Sequence, residues 1–300
     1  MKINTRCTVI IILLLLVGPG HSFAEGRRLP SNYDIGGNYL SALYNPPGWQ
    51  FVLYPYYLKA DSYWNEKGKK SSIDLDSQGI VYRPIYTLKW DNSTLLLNLV
   101  IPHGEISMKN PSTKKRETSS GVGDIAFYPS FYFSINKKHK LSLYLDAGFY
   151  LPVGDYKKGR IVNLGTNQFS LEPAFGLLKG WCFGSKEFYT ELLFQYLINW
   201  ENKTEHFKPG DMWEIQSTWN LAFSGKLFLG LSLKHYQSVN EDEKSGHKVK
   251  NSEVKGTVAG TWITYQVLPK CNLSLGVDST IDGENTAKTT LIRGRIFFLF

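Results

Sequence analysis

Arg83, Asp124, Asp146, Glu172, Glu191, Glu214, Lys234, Asp278, Arg293 and Arg295 share one habit of placement. Each stands on the less apolar face of a run whose polarity alternates with period two. Tyr54, Tyr56, Tyr128, Tyr132, Tyr144 and Tyr150 take the same parity. Both signs of charge are present, so this set suggests pairing across a shared space rather than one strong field. Two readings stay open. The charges pair only to stabilise a filled interior, or aromatic walls and fixed charges orient a polar group on a passing solute.

Other chemistry lacks its spacing. The histidines at His103, His139, His206, His235 and His247 are scattered, with no H-E-x-x-H and no C-x-x-C beside them. No G-x-S-x-G occurs. Lipid-hydrolysing barrels place a serine two positions after the catalytic histidine. Here His103-Gly-Glu, His206-Phe-Lys and His235-Tyr-Gln carry none. Neither an enzyme, a metal nor any other cofactor is expected.

The elements that must position these residues begin after a leader. Lys2 and Arg6 precede an apolar run from Val9 to Val17, followed by Gly-Pro-Gly and Ser22-Phe23-Ala24. That is a secretory signal peptide over residues 1–24, and its apolar run is far short of the about 20 residues a spanning helix needs. Its removal leaves 32 basic against 26 acidic residues, a balance of +6. The dense basic patches at 67–70, 114–116 and 157–160 are short and read as loop tips. They fit anionic lipid headgroups of an outer membrane better than nucleic acid, which is not an expected partner. Cys182 and Cys271 survive maturation, and the sequence does not decide whether they pair.

Beyond the leader the chain divides into twelve amphipathic runs: 49–62, 77–90, 93–107, 122–136, 140–154, 167–180, 187–200, 211–224, 226–239, 253–267, 270–281 and 287–300. In the eighth, Trp213, Ile215, Trp219, Leu221 and Phe223 oppose Met212, Glu214, Gln216, Thr218 and Asn220. A β-sandwich also alternates, but with shorter strands. Short and long connections alternate here, the pattern of a transmembrane antiparallel β-barrel with tight turns at one end and longer loops at the other. An even strand count puts both termini at one end, expected to be periplasmic. Trp49, Trp90, Phe133, Trp181 and Phe223 would form a girdle there. In hydrocarbon every backbone polar group must pair within the protein, so the last strand must meet the first. The ending TLIRGRIFFLF then follows: Ile296 and Phe298 face lipid, while Arg293 and Arg295 face inward. Residues 25–48 read as a periplasmic segment or a small plug, leaving 49–300 as the barrel.

Within the twelve runs, prolines fall in the first six, at Pro55, Pro84, Pro102, Pro129, Pro152 and Pro173, and in none of the last six. Proline cannot donate to a strand ladder, so these positions are expected to bulge or kink the wall. A wall weakened on that side would let an apolar solute leave sideways into the bilayer.

The stretch 121–176 is the most distinctive. It holds GVGD, then LPVGDY, then NLGTNQFSLEP, with Gly121, Gly123, Asp124, Pro152, Gly154, Asp155, Tyr156, Asn163, Gly165, Asn167, Glu172 and Pro173 at the matching positions. These blocks resemble the MetA-pathway of phenol degradation family of outer-membrane transporters, and the resemblance extends weakly over most of 45–300. It implies uptake of phenol-like or other hydrophobic small molecules, and it supplies no catalytic residues. The terminal phenylalanine resembles the C-terminal signal of many outer-membrane barrels, which implies the barrel-assembly machinery as a partner. From the residues alone, a channel for small polar solutes and a blocked structural or surface-binding barrel remain alternatives.

Overall fold

A computed structural model describes residues 46–110, 113–136, 140–184 and 186–300. The expected signal peptide, residues 25–45 of the expected tail or plug, and the expected turn at 137–139 lie outside the described residues. The twelve wall strands are long because each must cross a bilayer core while tilted. They are β1 (Gly48–Trp64), β2 (Lys70–Lys89), β3 (Ser93–Lys109), β5 (Ile125–Asn136), β6 (Leu141–Leu151) and β7 (Ser170–Phe183) in the first half. The second half holds β8 (Lys186–Asn199), β10 (Met212–Ala222), β11 (Leu227–Ser238), β14 (Lys255–Leu268), β15 (Cys271–Glu284) and β16 (Thr286–Leu299). Four short strands supplement them: β4 (Arg116–Val122), β9 (Phe207–Lys208), β12 (Asp242–Lys244) and β13 (His247–Val249).

Each wall strand pairs antiparallel with its sequence neighbours in the wall, and β16 returns to β1. The closing seam sets Phe51 opposite Phe298, Leu53 opposite Ile296 and Tyr57 opposite Ile292. The sheet is a closed twelve-stranded barrel, which leaves no long unpaired edge in the apolar zone. Alternation sorts the side chains. Leu145, Phe149, Phe175, Leu192, Ile215, Leu231, Ile263 and Leu275 are exposed on the outer face. Their strand neighbours Tyr144, Tyr150, Glu191, Glu214, Ser232, Lys234 and Thr264 are buried on the inner one. An outer face this apolar is stable only against acyl chains, since in water it would present a continuous hydrophobic belt.

The two ends differ. One carries the tight connections at 90–92, 223–226 and 269–270, together with Gly48 and Phe300. Trp49, Trp90, Trp181, Phe183, Phe223 and Phe300 are exposed around it. The other end carries the long connections 152–169, 200–211 and 239–254.

Three boundaries differ from the sequence expectation. The second strand starts at Lys70 rather than near 77, because Ile73 and Leu75 continue the inward alternation. The connection 63–76 therefore shrinks to a turn at 65–69, where the Asn65 side chain accepts from the Lys67 and Lys69 amides at 3.0 and 2.9 Å. The fourth run starts three residues later than expected. It begins as β5 at Ile125, pairing with the lower part of β3, and beyond the break at Gly123–Asp124 the segment expected as the loop 108–121 holds β4, which pairs with the upper part of β3. Pro152 stands just beyond the end of β6, not within a strand. Cys182 and Cys271 are both free.

Candidate lumenal site

The inner face of the barrel is built by parity alone: one residue in two along each strand turns inward, and neighbouring strands lie about 4.8 Å apart. Polar side chains at that parity join hands across strands. Arg83 on β2 donates to Asn98 Oδ1 on β3 at 3.2 Å and to the Tyr54 hydroxyl on β1 at 3.3 Å. Asn98 Nδ2 donates to Ser130 Oγ on β5 at 3.1 Å, and Ser130 donates to Asp146 Oδ1 on β6 at 3.0 Å. Asp146 also accepts from the Tyr144 hydroxyl. A second chain runs through the Tyr128 and Tyr150 hydroxyls to Glu172 on β7, whose Oε1 accepts from Gln195 Nε2 on β8 at 3.0 Å.

On the remaining strands the charges pair directly. Arg293 Nε donates to Asp278 Oδ2 at 2.5 Å, with a second contact to Oδ1 at 3.4 Å. Lys234 Nζ stands 3.5 Å from Glu214 Oε2. All four side chains are nearly inaccessible, so the pairing is what makes their burial tolerable. Glu191 on β8 and Arg295 on β16 are also inward and buried. The charge-bearing residues at inward parity thus form a mixed-sign belt around the wall. The uncharged members, Asn98, Ser130 and Gln195, were legible only by parity, because nothing in their type marks them.

Asp124 belongs to a different arrangement. It stands in the break between β4 and β5 and turns to the long connection 152–169. Its carboxylate accepts from the Gly154 amide at 3.1 Å, the Thr166 amide at 2.8 Å and the Thr166 hydroxyl at 2.5 Å. Asp155 answers across the break: its carboxylate accepts from the Val122 amide at 2.6 Å, and its own amide donates to the Val122 carbonyl at 2.7 Å. Glycine is needed at 154 and 165 for close approach. A Cβ on Gly154 would sit 2.5 Å from the Asp124 nitrogen, and one on Gly165 would sit 2.7 Å from the Gly154 backbone. The three sequence blocks around GVGD, LPVGDY and NLGT therefore meet at one corner. There they tuck Ile161, Val162 and Leu164 out of solvent at the long-loop end. At the same mouth Arg116 bridges Asp74 and Asp76 at 2.7 and 2.8 Å, and the hydrogen bond to Asp74 raises its pKa further above the ordinary arginine value.

Four prolines coincide with lapses in strand pairing. The β1–β16 ladder skips from Leu53 to Tyr56 around Pro55, and β2–β3 skips from Tyr82 to Ile85 around Pro84. The β5–β6 ladder skips from Phe127 to Ser130 around Pro129, and β7–β8 skips from Leu171 to Ala174 around Pro173. The missing N–H is the physical cause. Pro102 lies where β3 hands over from β5 to β4, and its carbonyl accepts from the Gly123 amide at 2.8 Å. Outside the Pro84 lapse runs a groove of about 610 Å³ lined by Trp49, Pro84, Tyr86, Leu97, Leu99 and Phe127. Asn98, whose side chain belongs to the inner belt, also borders it.

The model of the protein family described as "Putative MetA-pathway of phenol degradation" matches residues 59–296. No curated protein matches the chain. Among solved structures, the COG4313 outer membrane channel from Pseudomonas putida F1 aligns with a TM-score of 0.77 at 18% identity, covering 91% of this chain and 100% of that one. The transport unit of the autotransporter AIDA-I from Escherichia coli aligns with a TM-score of 0.51 at 9% identity, covering 88% of this chain and 96% of that one. At these identities the likeness is one of fold. The fold is that of a bacterial outer-membrane barrel.

Proposed function

The chain belongs to the MetA-pathway of phenol degradation family, and from that premise we propose that it is an outer-membrane channel for small hydrophobic or aromatic, phenol-like molecules. The observation that carries this reading is the inner belt. Tyrosine hydroxyls and amides alternate with charges of both signs, most of them satisfied by one another. A lining of that kind has no strong net field to trap an ion. It offers aromatic surface with hydrogen-bonding edges, which suits a weakly polar aromatic solute. A solved structure of like fold, the COG4313 protein, is itself described as a channel. Catalysis forms no part of the reading, because no G-x-S-x-G and no histidine followed two positions later by serine occurs in the sequence.

The aromatic girdle at the tight-turn end supports placing both termini on the periplasmic side. Outer-membrane lipids are then the solvent of the outer face, and the barrel-assembly machinery is the agent that inserts it. The inward residues Arg83, Tyr144, Asp146, Glu172, Glu191, Glu214, Lys234, Asp278, Arg293 and Arg295 are the wall a solute would meet. Asp124 is read as a brace for the long-loop mouth.

A sideways exit is the second element of the reading. The ladder lapses at Pro55, Pro84, Pro129 and Pro173, and the outer groove bordered by Asn98, support it. The test is uptake by liposomes carrying the purified protein, comparing a phenol-like compound with a small sugar. Faster uptake of the phenol-like compound than by empty liposomes, without matching sugar entry, is expected. Equal entry of both would make the barrel a channel for polar solutes, and entry of neither would make it a blocked barrel.

A further inference from the structure

Several buried atoms of the inner belt lack a hydrogen-bond partner among the described residues, Gln50 Oε1 and Gln195 Oε1 among them, but along β10 three neutral side chains in succession carry one. Gln216, Thr218 and Asn220 are successive inward residues of β10, with exposures of 2%, 0% and 1%. Gln216 Oε1, Thr218 Oγ1 and Asn220 Nδ2 have no hydrogen-bond partner among the described residues. A single orphan of this kind is ordinary. Three in a row along one strand face are not, since buried polar groups are almost always paired. The row offers an acceptor, a hydroxyl and a donor spaced about 7 Å apart.

What flanks the row narrows its ligand. Asn220 pairs across the ladder with Gly230 of β11, and Gly230 pairs with Trp262 of β14. The indole packs against Gly230, where a Cβ would stand 1.9 Å from Cε2 and 2.3 Å from Nε1 of Trp262, and the Arg293 guanidinium lies over the same ring, 5.6 Å from its centroid. Only glycine lets the ring press against the wall at this point. The nearby formal charges are engaged: Lys234 with Glu214, Arg293 with Asp278, and the buried Glu191, which stands opposite Thr218 across the β8–β10 ladder, with partners of its own. An anionic or cationic ligand would therefore find no uncommitted counter-charge in these pairs, whereas a neutral hydroxyl finds both a donor and an acceptor.

Resting on the channel reading above, we propose that Gln216, Thr218 and Asn220 form a subsite for the hydroxyl of a small neutral aromatic alcohol, with the Trp262 indole as its apolar flank. The subsite gives the channel its preference for hydroxylated over plain aromatic rings. A ring that donates and accepts through one oxygen satisfies two of the three groups, while a plain hydrocarbon leaves all three unpaired, which is the stronger form of discrimination.

The probes are 4-fluorophenol and fluorobenzene, followed by fluorine NMR line broadening with purified full-length protein in detergent, against empty micelles. The protein is expected to bind 4-fluorophenol about tenfold more tightly than fluorobenzene, and unlabelled phenol should compete. Replacing Gln216→Leu, Thr218→Val and Asn220→Leu together should erase the preference. Thr218→Val alone, which keeps shape and packing, should weaken 4-fluorophenol binding about fivefold and leave fluorobenzene unchanged. That single variant carries the test if the triple variant fails to fold. Equal binding of the two probes by the parent protein, or a preference that survives Thr218→Val undiminished, overturns the subsite. Transport by liposomes without this binding preference removes the subsite and leaves the channel. A binding preference without transport removes the channel and leaves the subsite.

Discussion

The wall has two arcs of different character. From β8 through β10 and β11 to β14 the ladders run without interruption over the lengths that pair, and no proline enters. From the closing seam through β7, four ladders lapse, each at a proline. The side chains follow the same division. In the proline arc the inner belt is a chain of neutral hydroxyls and amides around single charges, as at Asp146 with Ser130 and Tyr144. In the other arc and up to the seam, opposite charges meet directly, as at Arg293 and Asp278. Where backbone pairing is incomplete, side-chain hydrogen bonds cross from strand to strand; where it is complete, they are free to leave groups such as Thr218 open. The lesson is that one closed sheet can divide its work between a deformable side and a rigid side without a domain boundary.

Substitutions sharpen this contrast. The largest effect is expected at Asp278→Ala. It strips Arg293 of its two-point partner in a buried position, and should lower the stability of the detergent-folded barrel by about 3–5 kcal/mol. The urea midpoint of the folded band on unheated gels reads this. Asp146→Asn in the proline arc keeps the Oδ1 acceptor for Ser130, while its amide nitrogen replaces the oxygen that accepts from Tyr144 and donates to that hydroxyl instead; it should cost about 1 kcal/mol by the same assay. Equal losses at the two positions would erase the distinction between direct pairing and neutral relay. Asp124→Ala removes three hydrogen bonds to residues 154 and 166. It should release the 152–169 connection to protease cleavage while costing the barrel itself about 1–2 kcal/mol, because the corner sits outside the ladders. The smallest effect belongs to Pro84→Val, which restores an amide donor facing β3. It should change stability by less than about 1 kcal/mol, yet slow uptake of a hydrophobic solute if the sideways exit operates there. Unchanged uptake would confine the route to the lumen.

Much of the barrel was legible because period-two alternation is a strong signal when one face meets lipid. The strands 140–154 and 211–224 are examples, placed within a few residues of β6 and β10. The ends were harder. Ser72, Asp74 and Asp76 made 63–76 look like a loop, although Ile73 and Leu75 keep β2 going past the apolar zone, where an outward aspartate costs nothing. The break at Gly123–Asp124 was hidden, because neither residue alone forbids a strand; it exists through partners thirty and more positions away. For the inner belt, parity picks out which residues face inward, but the pairing of Glu172 with Gln195, or the isolation of Gln216, Thr218 and Asn220, depends on strand register. Register is set by the whole closed sheet, not by any one run.

The contrast between the arcs is tested most directly by hydrogen exchange of backbone amides with the protein in a lipid bilayer. Amides flanking Pro55, Pro84, Pro129 and Pro173 should exchange at least about tenfold faster than those at 215–219 and 231–235, which sit in uninterrupted ladders. Uniform protection around the wall would contradict the account and leave the barrel with no weak side.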